Sequence, residues 1–237
     1  MSHFSQYIPE HELSEIIQEA GMMPLVFSED DVQYNIQKFL QKQTPVLWIT
    51  GMSGGGKSWS AKEFSKETGA DILHTDSLDS IALSVVRRED PPPYVHKVKL
   101  YKWFYNALTK QYAKKQGFDG NGFEYKAVLQ DVVTLIQDMR TKYSNQKQLI
   151  IEGIRIPEMV DVCPSLIQEN DAVLIKGTSL ITSIRRRYTR DQEKGWFINT
   201  FSDIPAYMKS YYLWYKQQNQ FREKITPNTE SVSIEEK

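Results

Sequence analysis

The sequence has one cysteine, no long apolar run and almost no net charge. Because Cys163 is the only cysteine among 237 residues, no intramolecular disulfide can form. The four histidines, His3, His11, His74 and His96, show no metal-ligand spacing with it, so no structural zinc is expected. No segment approaches 18 consecutive apolar residues, and the N-terminus lacks the basic start and apolar run of a targeting segment. We expect a cytoplasmic protein without a membrane partner.

The balance of charge limits what the surface as a whole can attract. There are 29 basic and 30 acidic residues, which give a formal net charge of -1. Any binding of nucleic acid or phosphate must therefore come from local basic clusters. A hydrophobic content of 40% is enough for one α/β domain with appendages.

Short apolar runs alternate with segments of helical periodicity, which predicts an α/β fold with a parallel sheet. The predicted strands are residues 45–50, 72–75, 148–151 and 172–175. Helical spacing before them predicts two N-terminal helices, the second carrying Val32, Ile36, Phe39 and Leu40.

These patterns divide the chain into an N-terminal helical extension and a core domain. The predicted ranges are 1–43 for the extension, 44–237 for the core domain, 88–146 for a helical insertion that closes over a substrate, and 227–237 for a polar tail. The insertion contains two helical stripes, over 101–112 and 125–139. Its aromatic residues are expected mainly in the core.

Residues 51–58 fit the phosphate-binding pattern G-x-x-x-x-G-K-[ST] and stand between a predicted strand and a predicted helix from Lys57 to Thr68. Glycines let backbone N–H groups turn toward phosphate oxygens, Lys57 reaches the β and γ phosphates, and Ser58 ligates Mg²⁺. ATP and Mg²⁺ are the expected cofactors. The predicted nucleotide-binding residues are Gly51, Ser53, Gly54, Gly55, Gly56, Lys57, Ser58 and Trp59.

Two carboxylates follow predicted strands at the edge of the sheet that carries this loop. Asp76 comes directly after the second strand, where it can accept the proton of an acceptor hydroxyl or hold Mg²⁺ through water. Glu152 ends the third strand, and Arg155 lies just beyond. The predicted metal ligands are Ser58, Asp76 and Glu152. The competing interpretations are a helix cap for Asp76 and a surface ion pair for Glu152.

Four arginines fall within six positions after the fourth strand, at residues 185–190. On a helix Arg186 and Arg190 stand at i and i+4, and Arg187 and Arg190 at i and i+3, so one face can reach phosphate. Arginine stabilises the charge that spreads over a phosphoryl group in transfer. A solvated basic face or an RNA-binding patch would show the same pattern.

Together these motifs resemble the uridine kinase and phosphoribulokinase-like branch of the P-loop kinases. The matching segments are residues 51–58, Asp76-Ser77, Glu152-Gly153 and residues 186–191, and the resemblance covers roughly 45–80 and 148–195. The sequence departs from the family at Leu78, where an aromatic residue is usual, and at Trp59, where a small residue is usual.

The resemblance implies a three-layer P-loop NTPase fold with a five-stranded parallel sheet flanked by helices. It implies that Asp76 is the catalytic base and that Lys57 and the lid arginines stabilise the transferred phosphate. The predicted catalytic residues are Lys57, Asp76, Arg186 and Arg190. The predicted substrate-binding residues are Asp76, Glu152, Arg155 and Arg187.

Three functions are consistent with these residues. The first is an ATP- and Mg²⁺-dependent kinase that phosphorylates a hydroxyl of a small molecule such as a nucleoside or sugar. The second is a kinase whose acceptor hydroxyl belongs to a protein or to nucleic acid, motivated by basic residues beside aromatics at Lys97, Lys99, Lys102 and Lys110. The third is a nucleotide-dependent switch or binding module. The sequence carries no signature of oligomeric state.

Overall fold

The computed structural model describes residues 31–114, 125–143, 147–178 and 203–225, together with Thr182 and Arg186. These residues divide into two compact units. The smaller unit contains the described residues up to 32, residues 51–57, and the described residues from 175 onward. The larger unit contains residues 33–50 and the described residues between 58 and 174.

The described residues form an α/β fold built on a five-stranded sheet flanked by helices. The strands are β1 (Val32–Tyr34), β2 (Val46–Gly51), β3 (Asp71–His74), β4 (Leu149–Glu152) and β5 (Ala172–Lys176). Their order across the sheet is β1-β5-β2-β4-β3, and β4 pairs in parallel with both β2 and β3. The α/β class and the five strands are confirmed, but the sheet is mixed and only mostly parallel.

The helices of the described residues alternate with these strands. They are α1 (Ile36–Leu40), α2 (Lys57–Thr68), α3 (Thr75–Arg87), a 3-10 helix at Pro93–His96, α4 (Lys99–Lys114), α5 (Tyr125–Tyr143), α6 (Ile156–Val162) and α7 (Asp203–Ile225). Among these helices none has the length and apolar character needed to cross a membrane.

The central strands are placed by burial and register. All six residues of β2 are buried, as expected for a strand covered on both faces. Ile49 of β2 and His74 of β3 are both aligned with Glu152 of β4. The carboxyl ends of these three parallel strands therefore lie at one edge of the sheet.

The second predicted N-terminal helix is wrong in its first turn, because Val32–Tyr34 forms strand β1 and helix α1 begins only at Ile36. Asn35 separates the two elements in a left-handed conformation, with φ 52°. Its side-chain amide donates to the carbonyl of Asp171 at 3.1 Å, which fixes the break. The helical spacing did identify Ile36 and Phe39 as buried. The first predicted helix and the predicted tail, 227–237, lie outside the described residues.

The insertion is helical, as predicted. Its described part consists of the 3-10 helix, α4 and α5, and α4 packs against both α3 and α5. Of the predicted stripes, the buried members are Tyr101, Phe104, Leu108, Tyr112, Val128, Leu129, Val132, Ile136 and Met139, whereas Tyr105 is half-buried. Leu100, Val133 and Leu135 are buried as well, although they lie outside the predicted stripes. Whether the insertion closes over a substrate stays a prediction.

The smaller unit contains a pocket. It is lined by the start of residues 51–57, the end of β5 and helix α7. Gly51 and Met52 contribute to one wall, and Gln218, Asn219 and Arg222 of α7 contribute polar groups. Asp31 accepts a hydrogen bond from the backbone N–H of Gly177 at 3.0 Å and pairs with the amine of Lys176. The end of β5 is thereby held in place.

A buried ion pair stabilises the amino-terminal edge of the sheet in the larger unit. The carboxylate of Asp171, just before β5, accepts hydrogen bonds from both terminal nitrogens of Arg140, at 2.6 and 2.7 Å. The indole of Trp48 donates to the same carboxylate at 2.9 Å. The side chain of Asp171 is fully buried and that of Arg140 is 8% exposed, so both charges depend mainly on protein partners.

We expect Asp171→Ala to lower the free energy of unfolding by about 3–5 kcal/mol, because it leaves the buried guanidinium of Arg140 without its anion. The matched control is Asp71→Ala, which removes a carboxylate that pairs with Lys147 at the surface and should cost about 0–1 kcal/mol. Denaturation by urea measures both. Equal losses in the two variants would contradict the assignment.

Candidate active site

A glycine-rich loop, residues 51–57, runs from the last residue of β2 to the first residue of α2. Gly54 and Gly56 have φ values of 81° and 87°, and Gly55 between them does not have a positive φ. Positive φ values of this kind occur in the turns whose backbone N–H groups can form concave anion-binding surfaces. The carbonyl of Met52 accepts the N–H of Gly55 at 3.0 Å and the amine of Lys57 at 2.9 Å. The predicted order of strand, loop and helix is therefore present.

Only glycine fits at the first position of the loop. Gly51 has φ 123°, and a Cβ atom added there would lie 2.4 Å from the carbonyl oxygen of Lys176. A side chain would force β5 away from the start of the loop. The first glycine of the sequence motif thus has a packing function in addition to any role in binding.

One arginine of the predicted cluster contacts the loop. The Nη1 atom of Arg186 donates to the carbonyl of Gly54 at 3.0 Å, and the side chain is exposed. Arg187 and Arg190 lie outside the described residues. The contact places one guanidinium at the loop that the motif assigns to phosphate.

In the larger unit, Ser58 and Glu152 form the start of a polar cluster. The hydroxyl of Ser58, the residue after Lys57, donates to Oε1 of Glu152 at 3.1 Å. Glu152 is 5% exposed and ends β4. The structure therefore brings together two of the three predicted metal ligands.

His74 completes this cluster and was missed by sequence reasoning. Its Nδ1 atom lies against the same Oε1 atom of Glu152. The histidine ends β3, and the register places it directly beside Glu152. The sequence signal that could have identified it is a titratable residue near the end of a predicted strand. The pairing itself depends on strand order, which the sequence did not provide.

Asp76 lies in the first turn of α3, two residues after His74, and it is exposed. An exposed carboxylate beside the end of β3 is accessible to an acceptor hydroxyl. Ser58 and Glu152 meet, whereas within the described part of the chain no hydrogen bond joins Asp76 to either of them. Its role as base stays a prediction.

Arg155 is held by two carboxylates. It donates to Asp79 at 2.8 Å and to Glu158 at 3.1 Å, and so links α3 to α6. Burial raises the pKa of the Asp79 carboxyl above its ordinary value, and the guanidinium of Arg155 offsets part of that rise. Substrate binding by Arg155 stays a prediction. Its hydrogen bonds to Asp79 and Glu158 give it a structural role, which is to connect α3 to α6.

Two tyrosines of the insertion are hydrogen-bonded to the end of β3 and to the first turn of α3. The hydroxyl of Tyr101 accepts the backbone N–H of His74 at 3.1 Å, and the hydroxyl of Tyr94 donates to the carbonyl of Ser77 at 3.2 Å. Their rings meet edge to face, with centroids 5.5 Å apart. Burial raises the pKa of Tyr101, so its phenol stays protonated. The insertion thus fixes the turn that carries Asp76.

The cluster offers oxygen ligands that suit Mg²⁺. No group of three or more His, Cys, Asp or Glu side chains in the described part of the chain is arranged to hold a metal. Magnesium, however, takes one or two protein oxygens and keeps its waters. The hydroxyl of Ser58 and the carboxylate of Glu152 fit that requirement.

Trp59, another predicted nucleotide-binding residue, lies on α2 directly after Ser58 and is 68% exposed. Ser53 of the loop is buried, at 8%.

Comparison with protein-family models and with curated protein sequences gives no match.

Gly153, which follows Glu152, is in close contact with Thr75. A Cβ atom at Gly153 would lie 1.6 Å from Oγ1 of Thr75, and the glycine N–H donates to the carbonyl of Ile49 at 3.0 Å. Thr75 is fully buried, and its hydroxyl has no hydrogen-bond partner among the described residues. The Glu-Gly pair of the sequence motif therefore has a steric basis.

Gly153→Ala should lower the free energy of unfolding by about 1–3 kcal/mol, because the added methyl overpacks the contact with Thr75. Adding Thr75→Ala should recover part of that loss, because it removes the hydroxyl that clashes. Thermal unfolding of the single and double variants measures the coupling. Strictly additive losses would refute the steric account.

Proposed function

We propose that this protein is a phosphotransferase of the P-loop kinase type that moves the γ-phosphate of ATP to an acceptor hydroxyl. The observation that carries the proposal is the hydrogen bond from Ser58 to the buried carboxylate of Glu152. In P-loop NTPases a loop Ser or Thr and an acidic residue from a neighbouring strand hold Mg²⁺ together. The resemblance to the uridine kinase and phosphoribulokinase-like branch belongs to the same proposal.

The glycine loop supports nucleotide binding. The backbone conformations of Gly54 and Gly56 suit phosphate oxygens, and α2 begins at Lys57, so its N-terminus adds partial positive charge. Lys57 supplies a cation for the β and γ phosphates. Ser58 and Glu152 would hold Mg²⁺, which neutralises phosphate charge when bound.

Asp76 is assigned as the base. The acceptor oxygen bonds to the γ-phosphorus while its proton passes to the carboxylate of Asp76, and the bond to the bridging oxygen breaks to release ADP. Lys57 and Arg186 stabilise the charge that develops on the phosphoryl oxygens. His74 positions Glu152 by binding the oxygen that Ser58 also uses.

We expect Asp76→Asn to lower the rate of acceptor-dependent transfer about 10²- to 10⁴-fold while the affinity for ATP changes little, because the proton acceptor is lost but the loop is intact. The assay follows γ-labelled ATP with pools of nucleosides, sugars and oligonucleotides. Asp90→Asn, a change at another exposed aspartate, is the matched control and should transfer normally.

The destination of the label decides between the proposed reaction and the other functions. Transfer to one pool that is lost in Lys57→Ala supports the kinase and names its acceptor class. Label released only as free phosphate, and stimulated by a partner protein, would instead support a nucleotide-dependent switch. Normal turnover of Asp76→Asn would contradict the assignment of the base.

Glu152→Gln should raise the Mg²⁺ concentration needed for half-maximal transfer about 10- to 100-fold, because the anionic oxygen beside Ser58 becomes neutral. The control is Glu63→Gln, an exposed glutamate of α2 that pairs with Lys66. Titration of activity with Mg²⁺ at saturating ATP measures the shift. An unchanged Mg²⁺ requirement would remove Glu152 from the proposed metal site.

A further inference from the structure

The segment that begins the insertion has a charge unlike that of the whole chain. Residues 91–114 contain five lysines and no aspartate or glutamate, although acidic residues slightly outnumber basic ones overall. The lysines are Lys97, Lys99, Lys102, Lys110 and Lys114, and all five are exposed. This segment is a local basic surface of the kind that a neutral protein needs to bind a polyanion.

Helix α4 presents two opposite faces. Tyr101, Phe104 and Leu108 are buried and define the inner face. At 100° per residue, the opposite side carries Lys99, Trp103, Asn106 and Lys110, which we call the basic face. Its lysines and Asn106 are exposed, and Trp103 is half-buried.

Trp103 lies in the middle of the basic face and carries a further cation. The amine of Lys142, from the last turn of α5, is 5.3 Å from the centroid of the indole ring. An aromatic ring on the outer side of a helix is not part of the buried stripe. Aromatic rings flanked by lysines are the combination that holds bases by stacking and phosphates by charge.

We propose that the basic face of α4 binds single-stranded nucleic acid. Lys99, Lys110 and Lys142 would contact phosphates, and Trp103 would stack a base. An anionic membrane is disfavoured because Val98 is the one large exposed hydrophobic residue among the described residues of the insertion. An acidic peptide would use the lysines but would have no base to stack on Trp103.

The inner face of the same helix links this surface to the proposed reaction. Tyr101 is hydrogen-bonded to His74, at the turn that carries Asp76. Nucleic acid on α4 is therefore separated from that turn by the thickness of one helix, about 10–12 Å with side chains. The acceptor hydroxyl would then belong to nucleic acid. This last step rests on the proposed function, whereas binding to α4 does not.

Fluorescence anisotropy of a labelled single-stranded oligonucleotide over a series of salt concentrations tests the binding. Lys99→Glu with Lys110→Glu should weaken binding at least about tenfold and reduce the slope of log affinity against log salt by about 1.4, since each lost phosphate contact on a single strand removes about 0.7. The matched control reverses two other exposed lysines, Lys38→Glu with Lys42→Glu, and should bind normally.

Trp103→Ala should weaken binding about 5- to 150-fold with little change in the salt slope, because it removes stacking and leaves the charges. Trp103→Phe keeps an aromatic ring and should retain most of the affinity, which separates loss of stacking from loss of folding. Thermal unfolding of each variant is measured in parallel.

Several outcomes would overturn the inference. They are absence of oligonucleotide binding at low salt, binding of polyglutamate as tight as that of the oligonucleotide, and binding of anionic vesicles in its place. Transfer to a small alcohol without oligonucleotide binding would sink this inference and leave the phosphotransferase intact. Oligonucleotide binding without transfer to any acceptor would contradict the phosphotransferase and support the binding of nucleic acid to α4.

Discussion

The carboxylate of Glu152 is the charge on which the arrangement of the proposed site depends. A buried carboxylate is stable only when other groups pair with it, and the same oxygen here meets Ser58 from α2 and His74 from β3. Since β4 lies between β2 and β3, one strand register positions both partners. A slip of one residue would turn Glu152 to the other face of the sheet and separate the cluster.

The charged and polar groups at the two edges of the sheet differ in how completely they are paired. At the amino-terminal edge, Asp171 is fully paired with Arg140 and Trp48, which leaves no group for a ligand. At the carboxyl-terminal edge, the hydroxyl of Thr75 has no partner among the described residues, and Asp76 is exposed. The hydroxyl of Thr44 and the side-chain oxygen of Gln148, at the amino-terminal edge, also lack partners among the described residues. What distinguishes the carboxyl-terminal edge is therefore the exposed carboxylate of Asp76, which stays available for a substrate.

The elements that the sequence predicted are those determined by local pattern. Strand β2 and helix α2 follow from an apolar run and from a glycine motif, and the buried positions of α4 follow from a period of 3.6 residues. What was missed depends on residues far apart in the chain. Strand β1 lies beside β5, Asn35 is hydrogen-bonded to Asp171 across 136 positions, and His74 meets Glu152 across 78. Local periodicity contains no information on such pairings.

The lysines of α4 are difficult to explain by folding alone. Lys110 and Lys114 stand at i and i+4, where like charges destabilise a helix by about 0.2–0.5 kcal/mol, and no acidic residue within the helix offsets them. The helix dipole favours Lys114 in the last turn, but it does not favour Lys99 at the first residue. The inner face already provides the packing and the hydrogen bond from His74 to Tyr101 that hold the helix in place. A bound polyanion would attract both lysines and so compensate for their mutual repulsion. The charge on the outer face is therefore better explained by recognition than by stability.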